Sequence, residues 1–312
     1  MVMLDVVSVL FWMVTSMAIV LCNSWIIGIQ GFHFPCALAI LHMLACSCAA
    51  AGAGSVGWIK VPAMDTCQWR KSVLPISAAF STTLVLSNFS YAHLSVPTIQ
   101  MTKELTVVFV YVLGNAAGTE RATPARNWVV GVVVAGTMIA TASEIPTAST
   151  VLFVQLCAVA SEAVRLVLIK KLLIELQGQP FQALAVVAPT TAALLCLPFA
   201  LTEAPYLVEA RQHVHPAWLF FSASLAVLLN MSVYFIVDRI GAVAINVAGV
   251  LKNAALIGAS AMLYGKGIGA RSACGYAIAM AGAAIFSWRS SARAAEEYEL
   301  LPMHADELLI EE

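Results

Sequence analysis

Charge is what this chain has least of. Asp, Glu, Lys and Arg make up only 11% of its 312 residues, against roughly a quarter in a soluble domain. No cluster of Lys and Arg suggests a nucleic-acid surface, and the formal net charge is −1, so bulk charge selects no class of partner. The cysteines at 22, 36, 46, 48, 67, 157, 196 and 274 contain no Cys-x-x-Cys pair and are scattered through apolar runs. They read as small packing residues in helices, not as a metal or disulfide framework. Neither His-Glu-x-x-His nor Gly-x-x-x-x-Gly-Lys-Ser/Thr occurs; the first absence argues against a zinc hydrolase and the second against an ATP-driven pump. His213-Val-His215 is a polar-loop pair, better read as solvated than as a metal site. No cofactor motif is present, so no cofactor is expected. The first residues lack the Arg- and Ser-rich composition of an organelle import signal, so the first apolar run is expected to be a span.

Long apolar runs fill the space that charge leaves. Hydrophobic residues make up 61% of the chain. Ten apolar segments can be marked, at 5–28, 33–55, 72–92, 96–115, 126–142, 149–173, 181–201, 217–237, 242–264 and 271–288. A helix rising 1.5 Å per residue needs about 20 residues to cross a hydrocarbon core of about 30 Å. Backbone polar groups in lipid must be bonded within the chain, so each segment is expected to be helical. The fold class is therefore an all-α polytopic membrane protein with ten transmembrane helices. His93, Ser95 and Pro97 mark the tight turn between the third and fourth segments.

Basic residues orient the chain. With both termini cytosolic, the cytosolic flanks hold Lys60, Arg70, Lys71, Arg121, Arg126, Lys170, Lys171, Arg239, Arg289 and Arg293. The opposite side holds Arg211, Lys266 and Arg271, and Lys103, Arg165 and Lys252 lie inside spans. Ten against three agrees with the positive-inside rule. Residues 290–312 form an acidic tail expected to be disordered and cytosolic, with a sorting-signal pattern at Glu296-Glu-Tyr-Glu-Leu-Leu301.

The chain also repeats itself. Val85-Leu-Ser-Asn88-Phe-Ser90-Tyr91 in the third segment is echoed by Val227-Leu-Leu-Asn230-Met-Ser232-Val-Tyr234 in the eighth. Lys103 in the fourth has a counterpart in Lys252 in the ninth, and Ala135-Gly136 in the fifth has one in Ala281-Gly282 in the tenth. Residues 1–145 and 146–289 thus read as two five-helix units. Because five is odd, the second copy enters the membrane inverted, an arrangement that secondary transporters use to alternate around a midplane site.

An ionised side chain near the bilayer centre costs about 2.5–3.5 kcal/mol on insertion scales, so it usually faces a cavity or a partner. Lys103 and Lys252, one from each unit, would converge and repel unless an anion lies between them. They are the leading substrate-binding candidates. Asn88, Asn230, Tyr91, Tyr234 and Asn253 can hydrogen-bond a sugar, base or phosphate, with helix–helix bonding an equal competitor for the first four. Gln100 and Thr106 are weaker candidates, and His42 reads as a packed polar residue. Arg165 lies three residues after Glu162, so it is either a site cation or one half of a structural ion pair; Glu104 is free to pair with another helix.

Leu94-Ser-Val-Pro-Thr-Ile-Gln-Met-Thr-Lys103, Glu162-Ala-Val-Arg165-Leu-Val-Leu and Gly241-Ala-Val-Ala-Ile-Asn-Val-Ala-Gly-Val-Leu-Lys252 resemble the triose-phosphate and nucleotide-sugar transporter family of the drug/metabolite transporter superfamily. The nearest likeness is to the plant-type sugar phosphate/phosphate translocators. The resemblance implies a central cavity between helices like segments 3, 4, 8 and 9, antiport, and phosphate binding by lysines matching Lys103 and Lys252. It also implies an Arg or Asp after the second lysine, and Asn-Lys at the end of the first segment. This chain has Asn253 at the first place and Asn23-Ser24 at the second. With fewer cations, nucleotide sugars or other sugar phosphates are better expectations than triose phosphate.

The function expected is antiport of a nucleotide sugar or sugar phosphate against a nucleoside monophosphate or phosphate, in a Golgi or endoplasmic reticulum membrane. The alternative is a non-transporting membrane scaffold or regulator that kept the fold. The partners are the anionic substrate, its counter-substrate and the bilayer, with no nucleic acid; a homodimer is left open.

Overall fold

The computed structural model describes residues 2–32, 34–116, 122–142, 145–176, 179–206, 215–240, 249, 252–258, 262 and 269–286, with side chains described at all of these except 2–6, 114, 145–148, 170, 174, 180 and 234–240. Among them every regular element is helical. In chain order these are α1 (Val2–Gly28), α2 (Pro35–Ser55), the short α3 (Thr66–Gln68), α4 (Leu74–His93), α5 (Val96–Lys103), α6 (Thr106–Ala116), α7 (Pro124–Thr141), α8 (Ile145–Glu175), α9 (Pro180–Thr202) and α10 (Pro216–Ile240). Residues 252–258 are helical, and α11 (Ala270–Phe286) closes the described chain. Seven helical stretches are long and apolar enough to cross a membrane, so the protein is a multi-pass membrane protein. Much of the expected ninth segment, and the acidic tail, lie outside the described residues.

Local chemistry explains the boundaries. The turn expected near Ser95 is there: α4 ends at His93, and the Ser95 hydroxyl accepts from the Thr98 amide at 3.3 Å. With Pro97 in its first turn, α5 begins as capped helices do. Two boundaries differ from expectation. The third span starts earlier, at Thr66, and runs through a π-helical turn, Trp69–Val73, before α4. The fourth is not one helix: α5 stops at Lys103, and α6 starts at Thr106.

The helices pack as α4 on α8 and α1 on α10, with α2 against α9; α4 also touches α9, and α10 touches α2. Lipid tails are as apolar as the side chains, so close fit and polar ties carry this packing. A core of Ala39, Met43 and Cys46 from α2 meets Leu184, Ala188, Ala192 and Leu195 from α9. Helices α7 and α11 cross at two glycines. A Cβ added to Gly136 would lie 2.8 Å from the Gly275 carbonyl oxygen and 2.9 Å from Ala279 Cα. One added to Gly275 would lie at those same distances from the Gly136 carbonyl oxygen and Ala140 Cα. Each backbone thus approaches the other reciprocally. The partner of Gly136 is Gly275; Gly282, which the repeat pattern aligns with it, packs on Val133 instead.

A buried carboxylate ties α9 to α2. Phe34, at the N-cap of α2, has no capping side chain. The Glu203 carboxylate fills that role, accepting from the Cys36 amide at 2.7 Å and the Ala37 amide at 2.8 Å. These are charge-assisted bonds at the positive end of a helix. Glu203→Ala is expected to lower the stability of the detergent-solubilised protein by about 2 kcal/mol, seen as a lower melting temperature. An unchanged melting curve would contradict the cap.

Candidate substrate site

The break between α5 and α6 falls at Glu104 and Leu105, directly after Lys103. Its sequence, Thr102-Lys103-Glu104-Leu105-Thr106, has no glycine or proline; the Thr102 hydroxyl donates back to the Ile99 carbonyl at 2.8 Å and the Leu105 amide to the Thr102 carbonyl at 3.1 Å, which tightens the turn. A tertiary bond lies at the break: the Asn253 amide nitrogen donates to Glu104 Oε1 at 2.8 Å. Both residues are buried, Glu104 with 4% of its surface exposed. The bond joins the fourth span to the helical stretch 252–258. Interrupted helices beside charged residues are a recurrent way to build a site at membrane depth.

Each lysine directly precedes one partner of this bond in the sequence. The Lys103 ammonium donates to the Tyr91 hydroxyl at 3.3 Å and lies 5.5 Å from the centre of that ring. The Gln100 amide donates to the same hydroxyl at 3.1 Å. The Lys252 ammonium donates to the Ser16 hydroxyl on α1 at 3.3 Å and lies 5.4 Å from the Trp12 ring. Aromatic faces at such distances stabilise a cation without neutralising it. Among the described residues neither ammonium is within salt-bridge distance of a carboxylate. Lys252 is nonetheless within electrostatic reach of Lys103, Glu104 and Glu162. An ammonium has three donors, and one hydrogen bond is made by each here. The arrangement can therefore offer several N–H donors and two positive charges to an anion.

Arg165 is engaged differently. Its Nε donates to Glu162 Oε2 at 2.8 Å, its Nη2 pairs with Glu162 Oε1, and its guanidinium lies 4.6 Å from the Phe80 ring. The fork geometry suits a fixed ion pair, so the pairing expected from the spacing of Glu162 and Arg165 is observed. Counting Lys103, Lys252 and Arg165 against Glu104 and Glu162 leaves one net positive charge.

Residues 4–287 match the Triose-phosphate Transporter family. The chain belongs to this family. It is 32% identical over 294 residues to a probable sugar phosphate/phosphate translocator of Arabidopsis thaliana, covering 91% of this chain and 78% of that protein. A second probable sugar phosphate/phosphate translocator of the same plant is 31% identical over 292 residues, covering 91% and 79%. A crystal structure of an 18% identical protein shares the fold, with a TM-score of 0.60 over 92% of this chain and 96% of its own. As a member of the Triose-phosphate Transporter family the protein is a transporter and not an enzyme.

Not every candidate side chain gathers at the lysines of this Triose-phosphate Transporter family protein. Asn88 donates to the Pro35 carbonyl at 3.0 Å, and Asn230 to the Ala226 carbonyl at 2.8 Å and the Cys46 sulfur at 3.5 Å. Their amides thus serve the backbone and helix–helix contacts, the competing reading. Asn253 has its nitrogen bound to Glu104, while its Oδ1 has no hydrogen-bond partner among the described residues. The Tyr234 side chain lies outside the described residues. His42 is a packed polar residue, bonded to the Ser222 hydroxyl at 2.8 Å, and that hydroxyl donates to Asn23 at 2.7 Å. His215 accepts from the Ala217 amide at 3.2 Å; His213 lies outside the described residues. A groove of ≈ 620 Å³ between α2 and α10, lined by Leu41, Leu44, Cys48 and Phe220, carries no charged residue and opens where Phe220 is exposed, so it is no site for an anion.

Sequence reading missed three features. It left Glu104 free to pair with another helix without naming Asn253, and it took the fourth span as continuous. It also passed over Gln155 on α8, a fully buried amide with no hydrogen-bond partner for either polar atom among the described residues. A carboxamide inside an apolar run was the available signal for Gln155.

Proposed function

We propose that this member of the Triose-phosphate Transporter family is a ten-helix antiporter, built from two inverted five-helix repeats, that exchanges a sugar phosphate for phosphate. The observation that carries the reading is the pair of lysines, one from each half. Each has one neutral hydroxyl partner, and both lie within electrostatic reach of each other. An anion between them converts mutual repulsion into two charge-assisted attachments.

Reciprocal packing supports the repeat: α4 on α8 is mirrored by α1 on α10. The relatives' description as sugar phosphate/phosphate translocators favours a sugar phosphate over a nucleotide sugar, and phosphate over a nucleoside monophosphate as counter-substrate. The excess of basic residues on one side supports cytosolic termini. The Glu296–Leu301 pattern supports an endomembrane location reached by sorting. Exchange is driven by differential binding to the inward- and outward-facing states, with the lysines serving both.

Proteoliposomes preloaded with phosphate, UMP or GMP and offered labelled sugar phosphates and nucleotide sugars test the reading. Phosphate-loaded vesicles are expected to take up a sugar phosphate at least about tenfold faster than empty ones, a gap of about 1.4 kcal/mol in activation free energy. Preference for a nucleotide sugar with UMP or GMP inside would move the substrate class. No uptake across the panel would favour the scaffold.

A further inference from the structure

The bond between Glu104 and Asn253 does more than fasten two helices. Each residue directly follows its lysine, so if Lys103 and Lys252 are repeat mates, Glu104 and Asn253 are mates as well. Mates that touch must sit on the two-fold axis relating the repeats. The contacts of the lysines differ: Lys103 reaches Tyr91 on α4, while Lys252 reaches Ser16 on α1. Under an inverted repeat α4 corresponds to α10 and α1 to α8, so these two contacts are not mates of each other. When two repeats exchange conformations, contacts off the axis change partners, while a contact on the axis maps onto itself.

We propose that Glu104 and Asn253 form an on-axis pivot that stays bonded in both facing states and holds one negative charge against the lysine-bearing stretch 252–258. Glu104 is then a positioning and charge-setting residue. It offsets part of the positive charge of the empty carrier and limits the charge of the accepted anion. The two lysines less this carboxylate leave one positive charge, suited to a single phosphate group more than to a bisphosphate. Asn253 locks the carboxylate with its nitrogen and leaves Oδ1, buried and without a partner among the described residues, as an acceptor for a substrate hydroxyl. The inference rests on the reading of Lys103 and Lys252 as the substrate site.

The test exchanges the two groups across the axis. Glu104→Asn removes the charge, and Asn253→Asp places two carboxylates together. Each single variant is expected to lower the exchange of a sugar monophosphate at least tenfold. The double variant E104N/N253D, which restores one carboxylate and one amide with their sides reversed, is expected to recover to within about threefold of wild type (a residual penalty near 0.7 kcal/mol). Glu104→Asn alone is expected to shift the uptake ratio toward a sugar bisphosphate, a change that lost packing would not produce.

A double variant no better than the worse single, in protein whose melting temperature matches wild type, overturns the pivot. Should a single variant fail to fold, the milder Glu104→Gln carries the charge-selectivity measurement, and an unshifted ratio overturns the charge-setting role. Lys252→Ala run in parallel separates the two claims. Loss of uptake there together with a failed exchange rejects the pivot alone, whereas full uptake there rejects the substrate site beneath it.

Discussion

Lys252→Ala is expected to lower exchange at least about 100-fold, and Lys103→Ala by a similar factor. A hydrogen bond to a charged group contributes about 1.5–3 kcal/mol, and each 1.36 kcal/mol is a factor of ten in rate. Removing an ammonium that directs more than one donor at a phosphate should therefore cost more than two powers of ten in the catalytic efficiency of transport. The effect is expected in both directions under the proposed exchange, in which the same pair serves both facing states. Lys252→Arg is expected to retain partial activity, since the charge persists while the planar fork no longer suits the Ser16 hydroxyl and the Trp12 face. Initial-rate counterflow in proteoliposomes, with protein amount and orientation controlled, gives the measurement. Full exchange by Lys252→Ala would remove the site.

The second large effect is expected far from any charge. Gly136→Val should destabilise the protein by about 3 kcal/mol or more, because the atoms it meets are the Gly275 carbonyl oxygen and Ala279 Cα, which are backbone and cannot rotate away. Gly275→Val should do the same through the reciprocal contact with Gly136 and Ala140. Small residues let membrane helices approach this closely, and no side-chain rearrangement restores the fit. Gly131, whose Cβ position has nothing within 4 Å, is the control on the same helix. Size-exclusion profiles after heating should show early loss of the monodisperse peak for Gly136→Val and little change for Gly131→Ala. Equal stability of all three variants would mean that the α7–α11 crossing is not tight.

Much of the architecture was legible because lipid imposes a simple rule. Apolar runs of span length must be helical, and the runs at 126–142, 181–201 and 217–237 correspond to α7, α9 and α10 with ends shifted by a few residues. The Ser95 turn was legible from its cap and proline. Glu162 and Arg165 were legible as a pair because their spacing places them on one helical face. The break after Lys103 was not, since it has no glycine or proline and a threonine bonding back to the preceding turn leaves no distinct mark in the sequence, and its tertiary partner lies far along the chain at Asn253. Asn88 and Asn230 show the opposite limit: a repeated polar residue in a span signals a polar contact, but its sequence does not say whether a backbone carbonyl or a ligand makes it.

By itself the sequence determined the solvent, the helical class, the family and the three cations that a bilayer would not tolerate without purpose. Those follow from composition, run length and motif, which are properties of short stretches read in order. Which of the cations is neutralised and which keeps donors to spare was decided only by the tertiary structure. Arg165 has its carboxylate one turn away on the same helix, whereas the surroundings of Lys103 and Lys252 come from other helices. The charge of a membrane site is a sum over groups brought together from distant parts of the chain, and electrostatic energy depends on their separations in space rather than on their order in sequence.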